Sequence, residues 1–161
     1  RRRLVLKNIV ILDNLKKLNI ELPNAPEPVG AYVAYKKVDK LLFISGQLPI
    51  DIDGKMIKGK IGKDLTLEEG QKASKLCVVN ILAQAKKAMS GDLSKIKNCI
   101  KITGFVNSSD DFIDQPKVIN PASETLSAVF EDNGKHARAA VSTNSLPLGV
   151  AVEIDAIFET E

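Results

Sequence analysis

Ala151-Val-Glu-Ile-Asp-Ala-Ile-Phe-Glu159 is the stretch on which the fold turns. Side chains of an extended chain alternate between two faces. Val152, Ile154, Ala156 and Phe158 therefore share one face, while Glu153, Asp155 and Glu159 share the other. A strand of this kind lies in a sheet with a core on one side only. Working back along the chain, Ala137 to Thr143 reads as a second strand. Ile96 to Val106 reads as a third, with Cys99, Lys101, Thr103 and Phe105 on one face and Ile100, Ile102 and Val106 on the other. Tyr32 to Tyr35 and Leu41 to Ile44 complete the set as a hairpin whose turn holds the intervening lysines and aspartate.

Helices must cover the apolar face. Thr66 followed by Glu69 is a capping box, in which hydroxyl and carboxylate each satisfy an orphan amide at a helix start. The helix should run to about Met89, with an apolar stripe through Ala73, Leu76, Cys77 and Ile81, and end at Ser90-Gly91. A second helical region spans Asp111 to Gly134, with Asn120-Pro121 as N-cap and first helical residue and Gly134 as a left-handed terminator. The expectation is an α/β (α+β) domain, a mixed sheet with two helices packed on one face. Self-association is the simplest cover for the other face. Residues 1–25 read as an N-terminal arm, because residues 1–20 show no clean period and the proline-rich Leu22 to Pro28 breaks any regular element; residues 26–161 form the single domain.

At 161 residues and 44% apolar content the chain can bury a core without staples. Cys77 and Cys99 stand in apolar stretches without metal or redox spacing, so they are expected as reduced core residues of an intracellular protein. No apolar run approaches the roughly 18 to 20 residues needed to span a bilayer and no signal peptide is visible, so the protein is expected to be soluble, cytoplasmic or in an organellar form, without a membrane partner. A net charge of +3, with acids and bases interspersed, offers no basic face for nucleic acid. Arg1-Arg2-Arg3 is the one basic cluster and is set aside as an appended segment or a processed leader.

Several motifs fail on inspection. Gly54 to Lys60 matches the first seven positions of a phosphate-binding loop, but Ile61 stands where a metal-binding Ser or Thr is required. Asp51-Ile-Asp53-Gly54 lacks the later ligands of a calcium loop and reads as a turn. His136 is the only histidine, and no Cys or carboxylate cluster accompanies it, so no metal or other cofactor is expected.

The remaining chemistry lies between His136 and Glu153. Arg138, flanked by alanines, sits early on one strand and Glu153 on the next; adjacent strands would bring both to one surface. A surface ion pair is the plain reading. The functional one is a guanidinium that holds a planar carboxylate through parallel hydrogen bonds. Tyr32 could equally be an ordinary strand aromatic, Asn120 a helix cap, Ser45-Gly46 a turn and His136 the first residue of a strand.

Taken together, Pro28-Val-Gly-Ala-Tyr32, Phe43-Ile-Ser-Gly-Gln-Leu-Pro49, Val118-Ile-Asn120, Ala137-Arg138 with Val141, Leu146-Pro147 and Val152-Glu-Ile154 resemble the Rid (reactive intermediate deaminase) family, also called the YjgF family. The resemblance runs in order from about Pro26 to the end. Asp114-Gln-Pro-Lys117 and the N-terminal arm point to a longer subgroup.

The resemblance implies a chorismate-mutase-like fold and a homotrimer with sites in the clefts between subunits. It also implies hydrolysis of reactive enamines and imines, of the 2-aminoacrylate and 2-iminobutanoate type, to 2-oxo acids and ammonia. By motif, Arg138 would clamp the small-molecule carboxylate and Glu153 would orient or protonate around the attacking water. Tyr32, Ser45, Gly46 and Asn120 would line the pocket. The sequence departs from the family at Ala140, where short members often carry Cys, and near Ser123, where an aromatic is expected. Those departures keep two other functions in view, a non-catalytic sensor of small carboxylates such as 2-oxo acids and an RNA-cleaving translation inhibitor. One histidine and no basic patch disfavour the latter.

Overall fold

Every element read from the apolar patterning has a counterpart in the computed structural model, which describes residues 1–161, although several begin or face differently. The order is α1 (Arg2–Lys17), β1 (Tyr35–Val38), β2 (Leu41–Gln47), α2 (Leu67–Ala88), β3 (Ile96–Asn107), α3 (Gln115–Phe130), β4 (Ala137–Thr143) and β5 (Val152–Thr160). The five strands form one sheet in the order β1-β2-β5-β3-β4. All neighbours are antiparallel except β3 and β4, which run parallel with α3 as their crossover.

The central position of β5 follows from its alternation. Val152, Ile154, Ala156 and Phe158 are at most 2% exposed and lie under the helices. Cys77, Val78, Ile81 and Leu82 of α2 and Val118, Ile119, Ala122 and Leu126 of α3 complete one continuous core with them. Burying each large aliphatic side chain contributes about 1.5–3 kcal/mol, offset by the ordering of the chain. Gly104 lets α3 approach β3 closely, since a Cβ there would meet Ile119 Cδ1 at 2.5 Å. The opposite sheet face carries Leu41, Phe43, Phe105, Val141 and Ile157 beside Glu153 and Asp155, all partly or wholly exposed in the single chain.

The capping box at Thr66 and Glu69 forms in both directions, and α2 ends at Ala88 before Ser90 and Gly91, both with positive φ. Other details correct the sequence reading. Residues 1–20 are not irregular: Arg2–Lys17 is a helix whose Ile11 and Leu15 join the core. Its period is masked because apolar residues occupy the outer side as well, where Val5, Leu6, Ile9, Val10 and Leu12 stay exposed. The hairpin strand begins at Tyr35, and Lys36 and Lys37 lie in it; the turn is at Asp39, with φ of 50°. A register shift between Cys99 and Lys101 turns Cys99 into the core with Ile102 and leaves Ile100 exposed.

Asn120 is not a helix cap. α3 begins at Gln115 with Asp114 as N-cap and Pro116 in its first turn, where a missing amide costs nothing. Pro121 falls inside the helix and deprives the Lys117 carbonyl of its usual donor. Gln71 Nε2 supplies a replacement at 2.9 Å. Gly134 is not left-handed either; Glu131 takes the positive φ after Phe130, and Gly134 is needed because any Cβ would run into the Leu126 carbonyl.

Candidate functional site

The sheet order separates the two residues expected to share a surface. β3 lies between β4 and β5, so Arg138 and Glu153 are not on adjacent strands. Arg138 pairs in register with Ile102, and Ile102 with Ala156, both buried beneath the helices. Glu153 pairs with Phe105, and Phe105 with Val141, on the opposite face. Side chains in register share a face, so Arg138 and Glu153 leave opposite sides of the sheet. No ion pair joins them.

The expected site residues accordingly divide into two groups. The first surrounds Arg138 at the edge strand β4. Its Nη1 donates to Asn120 Oδ1 at 2.9 Å and to Ser123 Oγ at 3.2 Å, and its Nη2 reaches the Pro116 carbonyl at 3.4 Å. All three acceptors are neutral. Nη1 is thereby fully engaged, whereas the Nε–H makes no hydrogen bond in the chain. A guanidinium offers a planar carboxylate two parallel donors along such an edge.

Ser123 and His136 are members of this group that the sequence reading missed as such. His136 Nε2 lies 2.9 Å from Ser123 Oγ, and its Nδ1 lies 2.7 Å from the Gly134 carbonyl. Both ring nitrogens are thereby engaged. Ser123 therefore carries a hydroxyl bonded to both the histidine and the arginine. Only the order of α3, the Gly134 turn and β4 in space reveals this, because thirteen residues separate Ser123 from His136.

In the second group, Gly46 and Glu153 meet on the other face of the sheet, on the neighbouring strands β2 and β5. Gly46 lies against Glu153, and a Cβ on Gly46 would stand 2.8 Å from Oε2. Burial, and then the negative charge of Asp155, hold the Glu153 carboxyl above its usual range. Asp155 is raised by burial, opposed by hydrogen bonds from Thr103 and by Lys101. Tyr32 precedes β1 rather than lying in it, half exposed, and lines a cavity of about 40 Å³ with Gly46, Gln47 and Pro26. Ser45 fastens this segment to β2: its amide donates to the Ala34 carbonyl at 2.9 Å and its hydroxyl to the Val33 carbonyl at 2.7 Å. Gln84 of α2 secures the preceding linker by donating to the Pro26 carbonyl at 2.6 Å.

The discarded motifs have structural uses. Asp51 Oδ1 accepts from the amides of Asp53 and Lys55 in the turn at Gly54, and Lys60 Nζ is spent on Asn107 Oδ1 and the Asn144 carbonyl. No helix is long and apolar enough to cross a membrane.

A one-sided mixed sheet with two covering helices and a parallel β3–β4 pair is the chorismate-mutase-like architecture. The family described as YjgF/chorismate mutase-like, putative endoribonuclease, matches residues 13–158, and the chain belongs to it. Protein TCP17 of Trypanosoma cruzi is 43% identical over 147 residues, 91% of each chain. A RutC family protein of Pyrococcus horikoshii is 32% identical over 139 residues, covering 86% of this chain and 94% of that one. A crystal structure of a protein of unknown function from Agrobacterium tumefaciens superposes with a TM-score of 0.91 at 43% identity, over 100% of both chains.

Proposed function

We propose that the protein hydrolyses reactive 2-imino and 2-enamino acids to 2-oxo acids and ammonia, in a homotrimer whose sites lie where subunits meet. The observation that carries this reading is Arg138, a cation held only by neutral acceptors, with no acid in ion-pair range and its Nε–H unclaimed. A small carboxylate completes that arrangement better than any group of the chain.

The remaining roles follow from the division of the site. Arg138 and Asn120 lie on the helix-covered side at the edge strand β4, whereas Glu153 and Gly46 lie on the open face at the inner strands β5 and β2, with Tyr32 and Ser45 in the segments next to Gly46. A second copy whose β4 edge is laid against that open face would bring the Arg138 group of one chain and the Glu153 group of its neighbour to one cleft, and the partly apolar open face suits such a contact. In that cleft Arg138 holds the carboxylate and Glu153 attends the water. Water adds to the electrophilic imine carbon to give a carbinolamine, proton transfer to nitrogen follows, and ammonia departs as the ketone forms. A carboxyl whose pKa is raised takes up that proton more readily than an ordinary one and can then return it.

The test is direct. The imine generated in situ from 2-aminobutanoate by an amino acid oxidase should disappear faster with the protein than by spontaneous hydrolysis. Arg138→Lys should lose most of that gain, since an ammonium cannot reproduce the planar fork. Calorimetric binding of 2-oxobutanoate without any acceleration would instead favour the sensor, a reading supported by Ala140, packed against the core, at the position where short members often carry Cys.

A further inference from the structure

Ser123 and His136 have no part in the reaction just described, yet their hydrogen bonds form a chain that ends on Arg138. Its polarity can be worked out from one fixed point. The Gly134 carbonyl can only accept, so His136 must carry its proton on Nδ1, 2.7 Å away. The neutral ring then has a lone pair on Nε2, so Ser123 must donate its hydroxyl proton across the 2.9 Å contact. With its proton committed, Ser123 Oγ presents lone pairs to Arg138 Nη1 at 3.2 Å. Nη1 spends its other proton on Asn120 Oδ1 at 2.9 Å. None of these bonds can be reversed while the ring is neutral.

We propose that Ser123 and His136 are positioning residues that lock the guanidinium of Arg138 on its Nη1 side, so that the unclaimed Nε–H and the neighbouring Nη2, only one of whose two protons is taken by the Pro116 carbonyl, are presented to a planar carboxylate. Arginine is a long side chain that sheds much rotamer freedom when it binds. A guanidinium already fixed on its Nη1 side loses less of that freedom when a ligand arrives. The lone histidine serves here as a scaffold two hydrogen bonds away from the ligand. The choice of ligand rests on the reading of Arg138 given above, whereas the lock itself can be observed with no ligand present.

The chain suits such a measurement, because Arg138 is its only arginine outside Arg1–Arg3 and His136 its only histidine. In nitrogen-15 spectra the Arg138 Nε–H resonance, identified by its loss in Arg138→Lys, should be sharp in the natural protein. It should broaden through exchange with water in both Ser123→Ala and His136→Ala. Ser123→Thr, which keeps the hydroxyl, should restore it and separates loss of the bond from loss of the fold. Each alanine variant should weaken 2-oxobutanoate binding by roughly tenfold, as expected for a hydrogen bond to a charged group. The double variant should be no weaker than Ser123→Ala alone, because His136 acts only through Ser123.

An Arg138 resonance unchanged in either alanine variant, or binding losses that multiply in the double variant, would overturn the proposal. A resonance that broadens as expected in a protein that does not bind 2-oxobutanoate would instead uphold the lock and remove the carboxylate reading of Arg138.

Discussion

Gly46 and Glu153 are packed so closely that a single added carbon would displace the carboxylate: a Cβ on Gly46 would lie 2.8 Å from Oε2 and 2.9 Å from Cδ of Glu153. Glycine is required there by the neighbour, since the backbone itself is not left-handed. Gly46→Ala should therefore move the acid rather than unfold the chain. Imine hydrolysis should fall by about 10²-fold, the order expected when a catalytic group shifts by an ångström. Steady-state kinetics beside a thermal melt would check this, because the melt should change little.

The pH dependence of stability has a definite sign. Glu153 and Asp155 both have carboxyls raised in the folded state by burial. The folded chain thus binds more protons than the unfolded one across the interval between the ordinary and the raised values. Their contribution to stability is fully present below the ordinary carboxylate range and is lost as pH rises through the raised values. Urea denaturation of the wild type and of Glu153→Gln at a series of pH values should show the variant losing less stability as pH rises. Identical slopes would contradict the buried-carboxylate account.

α3 and β3 touch where there is no side chain. In Gly104→Ala the new methyl would meet Ile119 Cδ1 at 2.5 Å and Cγ1 at 2.6 Å, within a fully buried layer. Overpacking of this kind costs about 1–3 kcal/mol, which for a chain of this length lowers the melting temperature by roughly 2–4 °C per kcal/mol. Calorimetry would measure it.

Thr66→Ala removes one half of the capping box and leaves the Glu69 amide without its acceptor at 3.2 Å. The expected loss is about 1 kcal/mol. Thr66→Ser should recover most of it, and an equal loss in both variants would show that packing of the methyl group matters more than the cap.

These experiments probe features of unequal legibility. The alternation at Val152 to Phe158 and the capping box at Thr66 could be read directly, because each is a local pattern with one structural solution. Asn120-Pro121 misled, because a local cap rule competes with a distant one: Gln71 comes from another helix to satisfy the carbonyl that Pro121 strands. The separation of Arg138 from Glu153 was invisible for a similar reason, since nothing local says that β3 inserts between the strands carrying them. The family motifs singled out Arg138, Gly46 and Glu153 as candidates, but the contact of Ser123 and His136 with Arg138 emerged only from the return of the chain after α3.

The two thiols bring a practical consequence. Cys77 is fully buried and held well above the ordinary thiol range by burial and by Glu153, and burial pushes Cys99 up to about 12. Thiol reagents attack the thiolate, so the folded chain is expected to be inert toward a maleimide. A single cysteine introduced on the surface would then carry a fluorophore or spin label at one defined place, and distances between labelled copies could be measured without first removing either native residue.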